Sequence, residues 1–302
     1  MKRGVVIAIV AAAALVVAGG ATAAWLLTRP PSAEAVADAY LRALSEGDFA
    51  TIQGLVGGGD SDGRQLESAF SGASGHISDY SVRLSGESDA ARTARADVEL
   101  GGEKAVVTFS LTQQDGRWKV ADYLASLEVK TTMGDSARVG GVLVPAGEPV
   151  PLLPAVYPVT AAPQGLLVGD ASAIVTNQEP VSVSLAPTLS PGAGELAQQR
   201  LDAYADDCAK PAPTVPGNCG LRVPWAADLA SLDSIAFRID TYPVVALAQD
   251  GHSFDALGGR IVATATGTTR AGAPGSFTYE TDEWALRGTV TFQGDEMVLA
   301  VR

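Results

Sequence analysis

The sequence predicts an α+β protein carried on an N-terminal transmembrane helix. Three observations predict it. An apolar run from Gly4 to Leu27 follows Lys2 and Arg3. Apolar residues then recur at three and four from Ala33 to Leu44, the period of a one-faced helix. Beyond "YSVRLS", which begins at Tyr80, long stretches alternate apolar and polar, the period of a strand.

The first element is the apolar run. Its length of about 24 residues, at about 1.5 Å per residue, suffices for a hydrocarbon core of ~30 Å. Arg29 and the pair Pro30-Pro31 end it, and Trp25 suits a membrane interface. Lys2 and Arg3 place the N-terminus in the cytoplasm and the body outside. Ala21-Thr22-Ala23 also fits a signal-peptidase site, and cleavage near Ala23 would release a secreted body. The apolar tail Trp25-Leu26-Leu27 beyond that site favours the anchor. Both readings put the body outside the cytoplasm. Residues 20–30 contain no Cys for lipid attachment. Residues 1–31 therefore read as a cytoplasmic stub and anchor.

Ser32 is the expected N-cap of a helix that buries Val36, Ala37, Tyr40, Leu41 and Leu44 and ends at Gly47. Asp48 caps a second, short helix with Phe49, Ile52, Leu55 and Val56 inside. A third carries Leu66, Ala69 and Phe70 after the loop "GGGDSDG". "YSVRLS", "TARADVEL" and "KAVVTFSLTQQDGRWKVADY" then form an antiparallel meander with turns at Gly101-Gly102 and Asp115-Gly116. The helix "AVADAYLRALSEGDFATIQGLV" and the hairpin "DGRWKVADY" resemble the NTF2-like superfamily over residues about 33–126. That resemblance implies helices covering a curved sheet in a cone, and groups lining the cone that bind or act on small molecules.

Residues 127–189 show only short alternating runs split by Gly and Pro, and read as a β-rich module. From Ser190 a helix returns in "SPGAGELAQQRLDAYADDCAK", with Pro191 in its first turn and Leu196, Arg200, Leu201, Tyr204 and Cys208 in register. Long strands follow, with turns at Asp250-Gly251 and Gln293-Gly294-Asp295. "TFSLTQQDGRWKVAD" and "RGTVTFQGDEMVLAVR" share a strand–turn–strand pattern. Residues 190–302 thus read either as a diverged second copy of the NTF2-like unit 32–126 or as an independent helix-led sheet. The strand pattern runs to Arg302, so no sorting tail is expected.

Cys208 and Cys219 are the two cysteines, and three prolines lie between them. The spacing fits neither C-x-x-C nor a zinc site, whereas a disulfide would clasp so stiff a loop outside the cytoplasm. The formal charge is −13, and the three charges of residues 1–29 are all positive, so the body is more acidic still. Nucleic acid, which needs basic stripes, is not an expected partner. Much Ala, Gly and Val with little Lys points to a high-GC, actinobacterial source.

Motifs of chemistry are scarce. His76 and His252 are the two histidines. There is no G-x-S-x-G elbow, Ser-x-x-Lys, H-E-x-x-H, phosphate loop or dinucleotide fingerprint. Asp60, Asp62 and Glu67 are too closely spaced for an EF loop. His76, Asp79 and Tyr80 stand where the first sheet begins. By the NTF2-like resemblance they are candidate ligand-binding residues, and an Asp79–His76 pair could do acid–base work. The plainer reading is a solvated helix-to-strand junction. Trp118, Trp225 and Trp284 on alternating strands read as core before pocket. No cofactor, metal or catalytic residue is expected. The expected function is a non-catalytic, membrane-anchored protein presenting interaction surfaces to envelope or cell-wall partners. The alternatives are a pocket protein using His76 and Asp79, and a regulator of peptidoglycan synthesis.

Overall fold

The computed structural model describes residues 30–57, 63–88 and 90–302. The apolar run and the acidic stretch Asp60–Asp62 lie outside the described residues. Among the described residues no helix is long and apolar enough to cross a membrane.

Three helices open the described chain: α1 (Ala33–Glu46), α2 (Phe49–Leu55) and α3 (Gly63–Ser71). Ser32 Oγ accepts the Ala35 N–H, and Gly47 closes α1 in the left-handed region at φ 69°. Asp48 accepts the Thr51 N–H at the start of α2. The hydrogen bonds from Thr51 hold the Asp48 carboxyl below the usual carboxylate range.

The first sheet is a meander in the order β1 (Ser78–Ser88), β2 (Ala91–Leu100), β3 (Glu103–Gln114) and β4 (Arg117–Ala121). Its inner face carries Ala94, Ala96, Val98 and Leu100 from β2 and Val107, Phe109 and Leu111 from β3. The apolar face of α1 closes over it, with the Tyr40 and Phe109 rings 4.7 Å apart, edge to face.

Two small sheets follow. One has the order β11 (Asp170–Val175), β9 (Ala155–Ala161), β6 (Ser136–Val139), β7 (Val142–Pro145). The other has the order β12 (Val181–Leu185), β5 (Ala125–Thr131), β8 (Pro149–Leu152), with β12 and β5 parallel. One buried apolar cluster runs from Ala33 to Leu185, so these sheets share a core with the helices and first sheet. The approach is closest at Gly72, where a Cβ would fall 1.9 Å from the Gly140 carbonyl oxygen. A ribbon of β10 (Leu167–Val168) and β13 (Thr188–Leu189) leads onward.

The C-terminal part has one α-helix, α4 (Pro191–Ala209), against a five-stranded sheet. Its strands are β14 (Leu229–Thr241), β15 (Val244–Leu247), β16 (Ser253–Thr269), β17 (Pro274–Gln293) and β18 (Glu296–Val301). β14 and β15 pair in turn with two parts of β16. The buried stripe of α4 is Ala193, Ala197, Leu201, Ala205 and Cys208, and so is made mostly of alanine. Leu196, Arg200 and Tyr204, which the sequence placed with it, lie to its sides. Small residues let the helix sit close to the sheet. A second core joins α4 and this sheet to Met133, Ala161 and Leu167. The β17–β18 turn docks there: Gly294 N–H donates to the Asp135 carboxylate at 2.8 Å, and Arg138 meets Asp295 at 2.5 Å.

The α+β expectation is corrected: the fold is mostly β. Among the described residues there are 18 strands and four α-helices. The helices stand where the period of three and four placed them, but they are few. Alternation dominates elsewhere, and β16 and β17 alone run 17 and 20 residues. The transmembrane helix of that expectation belongs to residues 1–29, outside the described residues.

Candidate functional site

His76 lies between α3 and β1. Its ring is held edge to face against Phe70, with centroids 4.7 Å apart. On another side it covers Gly47, where a Cβ would come within 2.9 Å of Nε2. Gly47 thus serves twice, by accepting a positive φ and by leaving room for the ring. Nε2 is buried without a hydrogen-bond partner, and burial lowers the His76 pKa. Burial thus disfavours the charged form of the ring.

Asp79 points elsewhere. It is exposed at φ 41°, where the β1–β2 register breaks between Ser78 and Ser81. No hydrogen bond or ion pair links it to His76. Tyr80 turns to the first helix, its hydroxyl donating to Asp38 at 3.4 Å, while Asp38 holds Arg42 at 2.7 Å. Asp79 and Tyr80 line an open depression with Ser81, Asp97, Glu99 and Lys104. His76 thus packs against Phe70 and Gly47 while Asp79 and Tyr80 face the open depression, and Asp79 and His76 form no acid–base pair.

His252 is exposed after its turn, as the sequence suggests. Among the described residues no group of three or more His, Cys, Asp or Glu is gathered to hold a metal. Trp284 is core, 1% exposed, whereas Trp118 and Trp225 are half-buried.

Cys208 and Cys219 form the expected disulfide, with Cα atoms 5.8 Å apart. The clasped loop is tied down at several points. Trp284 Nε1–H donates to the Cys219 carbonyl at 2.8 Å, and the Tyr204 hydroxyl to Asn218 O at 2.9 Å. Ala212 exchanges both backbone hydrogen bonds with Ile235 of β14. The loop is in effect an added scrap of strand, which its prolines concealed.

Two features escaped the sequence reading. An apolar cavity of about 100 Å³ lies between α3 and the β7–β8 region, lined by Leu66, Ala69, Val142, Val144 and Leu152. The second is an exposed apolar pair. Val244 and Leu257 face each other across β15 and β16 and are 68% and 52% exposed. The β15 edge beside them is closed by Gln198 of α4. Its Oε1 accepts the Val245 N–H at 2.9 Å, and its Nε2 donates to the Pro243 carbonyl at 3.1 Å. The signal was present: "PVVAL" has two consecutive valines, so one must face away from the core in any strand.

No family model matches this chain, and no curated protein or solved structure is similar to it at a significant level.

Proposed function

We propose that the chain is a non-catalytic, membrane-tethered ectodomain that presents an apolar sheet surface to a protein partner in the cell envelope. The observation that carries this reading is the Val244–Leu257 pair. Val244 and Leu257 sit side by side across the two strands, so together they leave one small contiguous apolar surface whose burial against a partner's apolar side chain is favourable. An apolar pair of this kind suits a protein surface better than a glycan. The edge beside it is blocked by Gln198, so the side chains and not the strand backbone are on offer.

Two further observations support the reading. The inner face of the first sheet is filled, with Tyr40, Phe70 and Leu111 at 0% exposure and Phe109 at 1%. A pocket protein needs polar groups converging in a cavity there. The disulfide suits an oxidising location.

The test is a photo-reactive residue at Leu257 in the full chain, irradiated in intact cells. An adduct of discrete mass, abolished by Val244→Asp and absent when the probe stands at exposed Asp233, supports the proposal. Equal labelling from both positions overturns it. So does a body that external protease cannot reach.

A further inference from the structure

We propose that the β3–β4 hairpin, with Arg117 and Lys119 beside Pro30 and Pro31, rests on anionic phospholipid headgroups. This rests on the tethered reading above and adds a second membrane contact to it.

The argument starts from where the chain enters the fold. Pro30 and Pro31 line an open depression together with Asp115, Arg117, Trp118 and Lys119. Only Thr28 and Arg29 separate Pro30 from the apolar run that ends at Leu27. From Leu27 to Pro30 the chain spans three Cα steps, at most about 11 Å fully extended. That maximum is comparable to the screening length of ~8–10 Å at 0.1–0.15 M salt, so charges at this corner stand within reach of a charged bilayer surface.

The charges there have the sign such a surface selects. The chain carries −13 overall and is repelled by anionic lipid as a whole. At this corner the balance reverses. Arg117 is exposed, and its side chain makes no hydrogen bond or ion pair with a described residue. Lys119 Nζ donates once, to the Gly54 carbonyl at 2.7 Å, which leaves two N–H groups for a phosphate. Asp115 is the one acid among the residues lining the depression.

Trp118 completes the set. It packs partly against the core and keeps the rest of its ring at the depression, an amphipathic placement suited to headgroup depth. The β3–β4 pairing holds it rigidly through Gln113. A phosphate oxygen would accept from Arg117 in the fork geometry that guanidinium offers. The contact would fix the tilt of the body on its tether.

The experiment uses the full chain in phosphatidylcholine vesicles, with or without about 30% phosphatidylglycerol. A spin label at Gln113→Cys reports contact through relaxation by nickel chelated to lipid headgroups. The expected result is strong relaxation in the anionic vesicles, weakened by salt and about fivefold weaker in Arg117→Gln, the effect of one cation near a charged surface. A label at Asp233→Cys should stay unrelaxed. Equal relaxation in both lipids, no effect of Arg117→Gln, or a Gln113 label no more relaxed than the Asp233 one overturns the proposal. Flotation separates the two readings. A chain that floats without label relaxation keeps its tether and loses this contact, and a chain that does not float loses both.

Discussion

Tyr40 offers a test in which removing a polar atom should stabilise the protein. Its ring is 0% exposed and its hydroxyl has no hydrogen-bond partner. The ring contacts, to Phe109 at 4.7 Å and Tyr123 at 6.4 Å, survive in Tyr40→Phe. What is lost is a buried, unsatisfied hydroxyl whose desolvation costs about 1–3 kcal/mol. Loss of one oxygen's packing offsets part of this, which leaves a net gain of about 1 kcal/mol. For a chain of this size the melting temperature should rise by about 2–4 °C. Urea unfolding with an unchanged m-value is the assay. The effect should grow in alkali. Burial, then the nearby Tyr123 and Tyr157, push the Tyr40 pKa far above its ordinary value. Folded Tyr40 therefore stays neutral while the unfolded phenol ionises near pH 10. The stability it contributes is full below about pH 10 and is lost above it, by about 1.4 kcal/mol per pH unit. Tyr40→Phe removes that loss. A variant destabilised by 1 kcal/mol or more at pH 7 would refute the reasoning and show that the hydroxyl is satisfied.

The same logic with opposite sign applies to His76, whose folded pKa is lowered by burial. Its contribution is present above about pH 6.5 and lost as pH falls, so His76→Phe should flatten the acid limb of a melting-temperature profile. Asp79→Ala should leave that limb unchanged, because no pair exists to break. Gly72→Ala should cost more than about 3 kcal/mol and sharply lower soluble yield, since its Cβ would fall 1.9 Å from a backbone oxygen. Cys208→Ser with Cys219→Ser should cost about 2–3 kcal/mol in chemical unfolding, and the double variant should no longer respond to reductant.

Local signals in the sequence were reliable where one residue does one job. Ser32 and Gly47 bound α1, Asp48 starts α2, and Gly101, Gly102 and Gly116 turn the meander with positive φ. The α4 stripe was harder. Its face is set by how closely a helix approaches a sheet, and alanine carries too little hydropathy to announce that. The weighting of helix against strand also failed. Periodicity marks an element where it occurs but does not say how many residues the neighbouring strands will claim. Of the candidate trio, His76 turns inward before β1 begins while Asp79 and Tyr80 share an open depression, a division that no spacing rule reports. The Val244–Leu257 pair depends on β15 meeting β16 after a bend at Pro243, a long-range fact.

The shared core from Ala33 to Leu185 bears on the order in which the chain can fold as it is made. Every residue of that core precedes α4, so the first body can close before the C-terminal sheet exists. Met133, Ala161 and Leu167 belong instead to the second core, whose large side chains Phe254, Trp284 and Phe292 come roughly ninety residues or more later. At synthesis rates of about 5–20 residues per second, those three side chains wait several seconds in solvent. Through that interval the nascent chain carries a sticky, half-built seam, and its protection falls to whatever escorts the chain until Asp135 and Arg138 meet the β17–β18 turn.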